Sequence, residues 1–378
     1  MMRILHAPAN IGNQPWVLSR YERQLGVASD LLSTYRTSFA YAADRVLTRV
    51  EDPWEAQLRA RLLAGLQAPL DYDAFHFYFG QTMLGGWNED NGSDYRYLDL
   101  ELAHHLGKPI VFTMQGCDAR LAGESSVRYA HTPCRDGACT LFAECVSKYD
   151  AGRRRFMAEA LPKADKVFFL NPELGHYVPN GQFLPYASVD IAKIAVYQQR
   201  VDGPPRIVHA PTNASIKGTS AILAALEELR REREFELLLV QNMTHVEAMR
   251  VYGTADLVID QVLAGWYGGF AVEAMAMGKP VLCYLREEDF DQVPAELIAD
   301  LPIRNIRPDR LADDIDVVLD RHSEWRDWSQ RSRQFVEKWH NPRFIAAAMI
   351  DLYRDPKGPF TLLDRIAVAE APAEAARQ

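Results

Sequence analysis

Residues 265–281 have the sequence Gly-Trp-Tyr-Gly-Gly-Phe-Ala-Val-Glu-Ala-Met-Ala-Met-Gly-Lys-Pro-Val. Gly268 and Gly269 carry no side chain, so the backbone there can approach a ligand closely at the start of a helix. The first N–H groups of a helix have no partner within it, and the helix dipole favours anions at that end. Residues 278–280, Gly-Lys-Pro, are typical of a helix end that leads into a strand. The stretch therefore predicts a glycine turn with a candidate phosphate site, a helix and a strand.

Glu273 lies about one turn into this predicted helix, among alanines and methionines, at a position that is otherwise typical of a buried face. A buried carboxylate without a partner costs several kcal/mol, so we expect Glu273 to accept hydrogen bonds. Ribose hydroxyls of a nucleotide could donate them. The alternative is that Glu273 pairs with a neighbouring backbone group or an arginine in an ordinary buried polar network.

A second segment, residues 207–219, has the sequence Ile-Val-His-Ala-Pro-Thr-Asn-Ala-Ser-Ile-Lys-Gly-Thr. An apolar strand runs into a polar turn, and Lys217 and Gly218 then open a helix. A cation at a helix start is mildly unfavourable against the dipole, which favours a role in binding an anion. The alternative is an ordinary surface lysine.

These two segments, in this order and at this spacing, resemble the C-terminal domain of GT-B glycosyltransferases, particularly the retaining family 4. The resemblance is close over residues 205–285 and rests elsewhere on the alternation of strands and helices. It implies an α/β fold of two Rossmann-like domains whose parallel sheets face a central cleft. It also implies a UDP- or GDP-linked sugar as co-substrate, a hydroxyl acceptor, retention of anomeric configuration, and no cofactor required for catalysis.

The resemblance implies that Lys217 binds the donor diphosphate and Glu273 the nucleotide ribose, and we expect these two to be the catalytic residues. The family often has an Arg before this Lys, where Thr212 and Asn213 stand here, and an earlier Glu, where Gly265 stands. The remaining expected donor contacts are Gly12, Asn213, Gly218, Asp260, Gln261, Gly268 and Gly269.

Candidate acceptor contacts lie in two loops of the first half. Asn10 follows the first predicted strand, beside the expected donor contact Gly12, in a loop that resembles the family's first-strand loop or is a plain turn. Gln115, Asp118 and Arg120 follow another strand, at the carboxyl edge where open α/β sheets bind ligands. Gln115 stands where many family members have a His, so it is not expected to act as a general base. An Asp118–Arg120 pair that braces the loop is the alternative to acceptor binding.

The 378 residues predict two domains. We expect an acceptor-side domain over 1–190, completed by a C-terminal helix at 342–356, and a nucleotide-sugar-binding domain over 205–340. A tail follows from 357 to 378. The turn-forming residues 201–205, Val-Asp-Gly-Pro-Pro, separate the halves. The predicted strands are 3–8, 75–79, 109–114, 166–170, 182–185, 206–210, 236–240, 257–260 and 280–284.

Cys117, Cys134, Cys139 and Cys145 lie close together in sequence, with His131 just before Cys134. This density raises the hypothesis of a structural Zn²⁺ site, although the spacing fits no standard zinc motif. The alternative is a set of thiols in an ordered insertion.

A net charge of −9 argues against nucleic acid as a partner, because binding phosphates requires a basic surface. One local exception is the run Arg153, Arg154 and Arg155, interpreted as a solvated helix face or as a peripheral contact with an anionic membrane or acceptor phosphate. The start of the chain has no signal-peptide pattern, and no run approaches the about 20 apolar residues of a membrane span, so we expect a cytoplasmic protein.

Two other functions compete with sugar transfer. A nucleotide-sugar epimerase of the same fold would need acidic or histidine acid/base groups in the cleft, and Gln115 weakens that case. A non-catalytic subunit that binds sugar nucleotides fits the absence of the Arg and of the earlier Glu.

Overall fold

The computed structural model describes residues 1–36, 39–89, 95–197, 200 and 203–375, with side chains up to residue 370. Two parallel sheets dominate it, one from each half of the chain. The α/β class predicted from the sequence is therefore confirmed. None of the helices in these described ranges is both long enough and apolar enough to cross a bilayer.

The first sheet has the strand order β3-β2-β1-β4-β7-β8-β9, and every neighbouring pair is parallel. A short antiparallel hairpin, β5 with β6, follows β4. Strand β4 is buried along its whole length, as expected for a central strand covered on both faces. The strands are β1 (Arg3–Ala7), β2 (Ala28–Ser33), β3 (Arg45–Val46), β4 (Ala74–Tyr78), β5 (Gln81–Thr82), β6 (Gly85–Gly86), β7 (Ile110–Met114), β8 (Lys166–Phe169) and β9 (Gln182–Phe183).

The second sheet has the order β11-β10-β12-β13-β14 and is also parallel throughout. Its three central strands, β10, β12 and β13, are mostly buried, as expected from their runs of Ile, Val and Leu. The strands are β10 (Arg206–His209), β11 (Glu236–Leu239), β12 (Leu257–Ile259), β13 (Val281–Cys283) and β14 (Arg304–Asn305).

Helices connect the strands and cover the sheets. The helices are α1 (Gln14–Gln24), α2 (Trp54–Asp71), α3 (Leu98–His105), α4 (Ala122–Arg128), α5 (Phe142–Glu144), α6 (Asp150–Glu159), α7 (Ala214–Lys217), α8 (Thr219–Leu229), α9 (His245–Thr254), α10 (Gly269–Ala276), α11 (Ala295–Asp300), α12 (Leu311–Asp320), α13 (Trp325–Trp339), α14 (Pro342–Arg354) and α15 (Leu362–Ala375). A π-helical turn, Cys145–Tyr149, precedes α6, and short 3₁₀ turns include Pro172–His176 and Glu287–Gln292.

Near the C-terminus the chain returns to the first half. Helix α14 packs against α1, and Tyr353 on α14 hydrogen-bonds through its hydroxyl to Nδ1 of His76 in β4 at 2.8 Å. His76 Nε2 lies 2.7 Å from the Thr113 hydroxyl of β7. Both ring nitrogens are thus engaged inside the core, where burial lowers the pKa of His76 well below its ordinary value.

His340, just after α13, joins elements of both halves. Its Nδ1 donates to the carbonyl oxygen of Tyr186 at 2.8 Å, and its Nε2 lies 3.0 Å from the Tyr267 hydroxyl. A neutral ring can donate at one nitrogen and accept at the other, which suits both partners. The side chain is fully buried, and burial lowers its pKa from 6.5 to about 4.

We predict that His340 contributes to a loss of stability in acid. Its folded-state pKa is depressed, so the stabilisation is complete above pH 6.5 and is lost as the pH falls from there towards about 4. Urea unfolding across this window should show the free energy of unfolding falling less steeply in His340→Gln than in the wild type. The exposed His105→Gln variant should keep the wild-type slope. Parallel slopes for the wild type and His340→Gln would contradict the assignment.

Candidate functional site

Lys217 and the N-terminal end of α10 lie together in the second half. Lys217 ends the short helix α7, and its Nζ lies 2.5 Å from Asp260 Oδ1. The N–H of Gly268 donates to Asp260 Oδ2 at 2.6 Å. A Cβ placed on Gly268 would lie only 3.2 Å from Lys217 Nζ, so the absence of a side chain there admits the lysine. The structure thus brings the two predicted phosphate-binding elements into contact around a fully buried carboxylate.

The next three backbone N–H groups of α10 have no acceptor. In the ranges that the structure describes, no group accepts a hydrogen bond from the N–H of Gly269, Phe270 or Ala271. These donors and the positive end of the helix dipole point out of the N-terminus beside Lys217 Nζ. The arrangement suits an anion with several oxygens, such as a phosphate.

Asn213 and Gly218 hold the lysine loop in place. The Asn213 side chain caps α7 by accepting from the N–H of Ile216 at 3.1 Å. Gly218 has φ of 71° in the left-handed region, and a Cβ there would come within 2.5 Å of Val262 Cγ2. Both predicted donor contacts therefore have a structural task in positioning Lys217, and direct contact with a donor stays a prediction.

Gln261 shapes the loop that leads into α10. Its Oε1 accepts from the N–H groups of Leu263 and Ala264 at 3.0 and 2.6 Å, and its amide donates to the carbonyl of Trp266. The residue is 1% exposed. Its polar atoms are thus occupied within the loop, and the donor contact predicted for Gln261 remains untested.

Glu273 has a partner, His245, that its own sequence motif does not predict. His245, the first residue of α9, places its Nε2 2.6 Å from Glu273 Oε1, and this carboxylate raises the pKa of His245. The Tyr41 ring, from the first half, meets the His245 ring edge-on with centroids 5.4 Å apart. The sequence does carry a signal for the position of His245, because Thr244 and Glu247 form a capping box that starts α9.

The loops after β1 and β7 lie against each other in the first half. Gln115 donates from Nε2 to the carbonyl of Ile11 at 3.3 Å. Asn10 is 2% exposed and donates to the carbonyl of Ala42 at 2.9 Å. Gly12 adopts φ of 61°, and a Cβ on it would have nothing within 4 Å. The two loops that carry predicted acceptor residues are thus in contact. Gly12 is suited to its position by its left-handed backbone conformation and not by a lack of space for a side chain.

Asp118 and Arg120 do not form the loop-bracing pair that was the alternative to acceptor binding. Asp118 is fully buried and accepts from the N–H groups of Gln115 and Gly116 at 3.0 and 2.6 Å, and burial raises its pKa to about 6. Arg120 binds Glu173 instead, with Nε 2.8 Å from Oε1. Each side chain therefore stabilises a different part of the structure, since a buried charged group is stable only when it is hydrogen-bonded or paired. Acceptor contacts by these two side chains remain untested.

A buried ion cluster joins the two halves. Glu173 of the first half accepts from Arg120 and, at 3.2 Å, from Nη1 of Arg286 in the second half. Arg286 also binds Asp289 at 3.1 Å, and its guanidinium lies 3.6 Å from the centroid of the Tyr129 ring. The four charged side chains of this cluster are each at most 5% exposed, whereas Glu288, 3.8 Å from Arg286 Nε, is exposed.

This cluster occupies the space beside Gly265, where the family that the sequence resembles often has a Glu. Gly265 has φ of 77°, and a Cβ on it would lie 2.7 Å from the Arg286 guanidinium. A Glu side chain at this position would therefore collide with Arg286 in this arrangement. The space near the turn is filled by an arginine that ties the turn to the first half.

The four clustered cysteines line one small cavity of about 20 Å³, together with Arg120, Arg153 and Ile216. Arg153 Nη2 lies 3.4 Å from Cys145 Sγ, and burial raises the pKa of the Cys134 thiol to about 12. Within the described part of the chain, no group of three or more His, Cys, Asp and Glu side chains is arranged to hold a metal ion. The structural Zn²⁺ hypothesis is not supported, and the interpretation as thiols in an ordered insertion fits better.

The basic run near these cysteines is not a continuous charged patch. Arg153 is buried and binds Asp150 at 2.7 Å, while Arg154 is exposed and binds Glu124 at 2.6 Å. Arg155 donates to the carbonyl of Glu89 at 2.8 Å. The interpretation as a solvated helix face therefore holds for Arg154 and is wrong for Arg153.

We predict that Glu173→Gln lowers the free energy of unfolding by about 3 kcal/mol, because it leaves two buried arginines without their shared counter-charge. The control Glu124→Gln removes an exposed pair with Arg154 and should cost at most about 1 kcal/mol. Urea unfolding of both variants measures the difference. Equal losses in the two variants would show that the cluster does not stabilise the fold.

Comparisons with known proteins identify the architecture. No known protein-family profile matches the chain, and no curated protein sequence matches it. Among solved structures, sucrose-phosphate synthase from Thermosynechococcus elongatus superposes with a TM-score of 0.60 at 17% identity, covering 94% of this chain and 98% of that one. Anabaena HepE, in complex with UDP and glucose, gives a TM-score of 0.56 at 11% identity, covering 94% and 100%.

A third similar structure is a UDP-GlcNAc 2-epimerase from Neisseria meningitidis bound to UDP-GlcNAc. It gives a TM-score of 0.51 at 10% identity, covering 93% of this chain and 98% of that one. Likeness at these identities establishes the fold. The chain therefore has the GT-B fold of two Rossmann-like domains, as the sequence predicted.

Proposed function

We propose that this chain is a glycosyltransferase that moves a sugar from a nucleotide-diphosphate donor to a hydroxyl acceptor. The observation that carries the proposal is the contact between Lys217 Nζ and the glycine-opened end of α10, beside three free backbone N–H groups. The proposal assigns the acceptor to residues 1–190 and the donor to residues 205–340.

The chemistry of sugar transfer requires such a site. Cleavage of the anomeric C–O bond leaves its electron pair on the diphosphate, whose negative charge must be stabilised in the transition state. The Lys217 ammonium has three N–H donors, and Asp260 takes one of them, so two remain for phosphate oxygens. Asp260 would thus act as a positioning residue that holds the cation beside α10.

Glu273 would bind the ribose of the nucleotide. Its carboxylate lies about one helical turn from the phosphate end of α10, and His245 holds one of its oxygens. The remaining lone pairs can accept from ribose hydroxyls. The UDP bound in the similar HepE structure makes UDP the first nucleotide to test, with GDP as the alternative.

We further propose that transfer retains the anomeric configuration, as the resemblance to family 4 implies. The acceptor oxygen would bond to the anomeric carbon on the face that the diphosphate leaves, and its proton would pass to a phosphate oxygen. No protein base is then needed, which agrees with Gln115 in place of a histidine. Asn10 and Gln115 would help position the acceptor, and closure of the halves would exclude water.

We predict that Lys217→Ala lowers kcat/KM for the donor by about 100-fold or more, the usual effect of removing one group that stabilises transition-state charge. Activity is measured as hydrolysis or transfer of UDP- and GDP-sugars. Lys163→Ala, which removes a lysine paired with Glu101 in the first half, serves as the control and should retain wild-type activity. Full activity of a correctly folded Lys217→Ala variant would refute the proposal.

We predict that Glu273→Gln weakens binding of UDP or GDP about ten-fold, because the neutral amide is a poorer acceptor for ribose hydroxyls. Isothermal titration calorimetry should show this loss for the ribonucleotide. The loss should disappear for the 2′,3′-dideoxy analogue, which lacks those hydroxyls. An equal loss for both nucleotides would indicate that Glu273 acts on the fold of the site rather than on the ribose.

A panel of nucleotide sugars separates transfer from the two alternatives. A transferase slowly hydrolyses its donor when no acceptor is present. An epimerase, the activity named for the similar Neisseria meningitidis structure, returns a nucleotide sugar with changed configuration. A binding subunit returns the nucleotide sugar unchanged.

A further inference from the structure

Ser188 lies on the segment that connects the two sheets, after β9 and before β10. It is 4% exposed, and its hydroxyl has no hydrogen-bond partner within the described ranges. A buried hydroxyl without a partner costs on the order of 1–3 kcal/mol, so a persistent one requires an explanation.

The Ser188 hydroxyl faces the start of α10. A Cβ placed on Gly269, the first residue of α10, would lie 3.8 Å from Ser188 Oγ, and no other contact of that position comes within 4 Å. The preceding residue, Gly268, is the one that admits Lys217 Nζ. The hydroxyl therefore lies beside the free N–H groups of the helix end.

The loop after β1 fixes this segment from the other side. Asn13 Nδ2 donates to the carbonyl oxygen of Ser188 at 3.5 Å, and Gln14 Oε1 accepts from the N–H of Ala187 at 3.3 Å. Gln14 Oε1 is thus occupied by the N–H of Ala187, so only its Nε2 is available for a further hydrogen bond. Gln14 is fully buried, and its Nε2 has no partner among the described groups.

Both unpartnered groups, the Ser188 hydroxyl and the Gln14 amide nitrogen, can donate a hydrogen bond. Ser188 can donate from Oγ, and Gln14 Nε2 is a donor only. The Ser188 hydroxyl adds a donor to the α10 N–H groups and the Lys217 ammonium, so this helix end is a region rich in donors, with Asp260 already bound to Lys217 and Gly268. Such a region matches a ligand that presents only acceptors, which is the character of phosphate oxygens.

We propose that Ser188 is a donor-binding residue whose hydroxyl donates to an oxygen of the nucleotide diphosphate at the N-terminal end of α10. This inference rests on the proposed function, since it names a further ligand to the same diphosphate. It adds the connecting segment to the site. The diphosphate then contacts the second domain through Lys217 and α10, and the junction of the two domains through Ser188.

The test is the affinity of Ser188→Ala for UDP, GDP and inorganic pyrophosphate, measured by calorimetry beside the wild type. Loss of one hydrogen bond to a charged group should weaken binding of the nucleotide about ten-fold or more. Binding of pyrophosphate should weaken by a similar factor. Ser332→Ala is the matched control, because Ser332 on α13 is also buried with an unpartnered hydroxyl. It should bind like the wild type.

The outcomes separate this inference from the proposed function. Wild-type affinity in a folded Ser188→Ala variant, with weak binding by Lys217→Ala, overturns the role of Ser188 and leaves the proposed function standing. A loss seen only with a nucleotide sugar, and not with UDP, GDP or pyrophosphate, assigns the hydroxyl to the sugar and overturns the phosphate contact. If the wild type binds none of these ligands, both the role of Ser188 and the proposed function are refuted. If Ser188→Ala does not fold, Ser188→Gly provides the same comparison without added apolar atoms.

Discussion

The buried carboxylate of Asp260 determines how the centre of this protein is arranged. It is fully buried and receives hydrogen bonds from the Lys217 ammonium and from the N–H of Gly268. A buried charge is stable only when it is paired and hydrogen-bonded, so the fold must bring both partners to it. As a result, the Lys217 ammonium lies at the N-terminal end of α10, and its positive potential adds to that of the helix dipole.

The topology of the two sheets makes this arrangement possible. In a parallel sheet all strands end at the same edge, so the loops after β10 and β12 are neighbours and carry Lys217 and Asp260 respectively. The loops after β1 and β7 meet in the same way in the first half. Between the halves, the Glu173–Arg286 cluster and the His340 contacts supply buried polar links that require a defined geometry.

Much of the fold could be predicted from the sequence, because the central strands are continuous apolar runs and the glycine turns have few structural alternatives. Strand β2 was missed because Ser29, Asp30 and Ser33 interrupt its apolar pattern. Strands β3 and β14 were missed because their two residues, Arg-Val and Arg-Asn, do not form an apolar run. Their pairing comes from the neighbouring strand rather than from their own composition.

The candidate site was predictable where a motif is local and was not where partners come from distant segments. Lys217, Glu273 and the Gly268–Gly269 turn stand in two short stretches with readable patterns. His245, Arg286 and Ser188 meet them only through the tertiary fold. The Thr244–Glu247 capping box marks where α9 begins and so locates His245, but it does not predict the contact with Glu273. The cysteine spacing indicated proximity correctly, but proximity in a cavity is a weaker condition than the geometry of a metal site.

The central claim is that Lys217 and the end of α10 hold the diphosphate of a nucleotide. A crystal structure of the wild-type protein with bound UDP or GDP tests it most directly. We predict a diphosphate oxygen within hydrogen-bond distance of Lys217 Nζ and of the N–H groups of Gly269 to Ala271. A nucleotide bound elsewhere, or one whose phosphates point away from α10, would contradict the account.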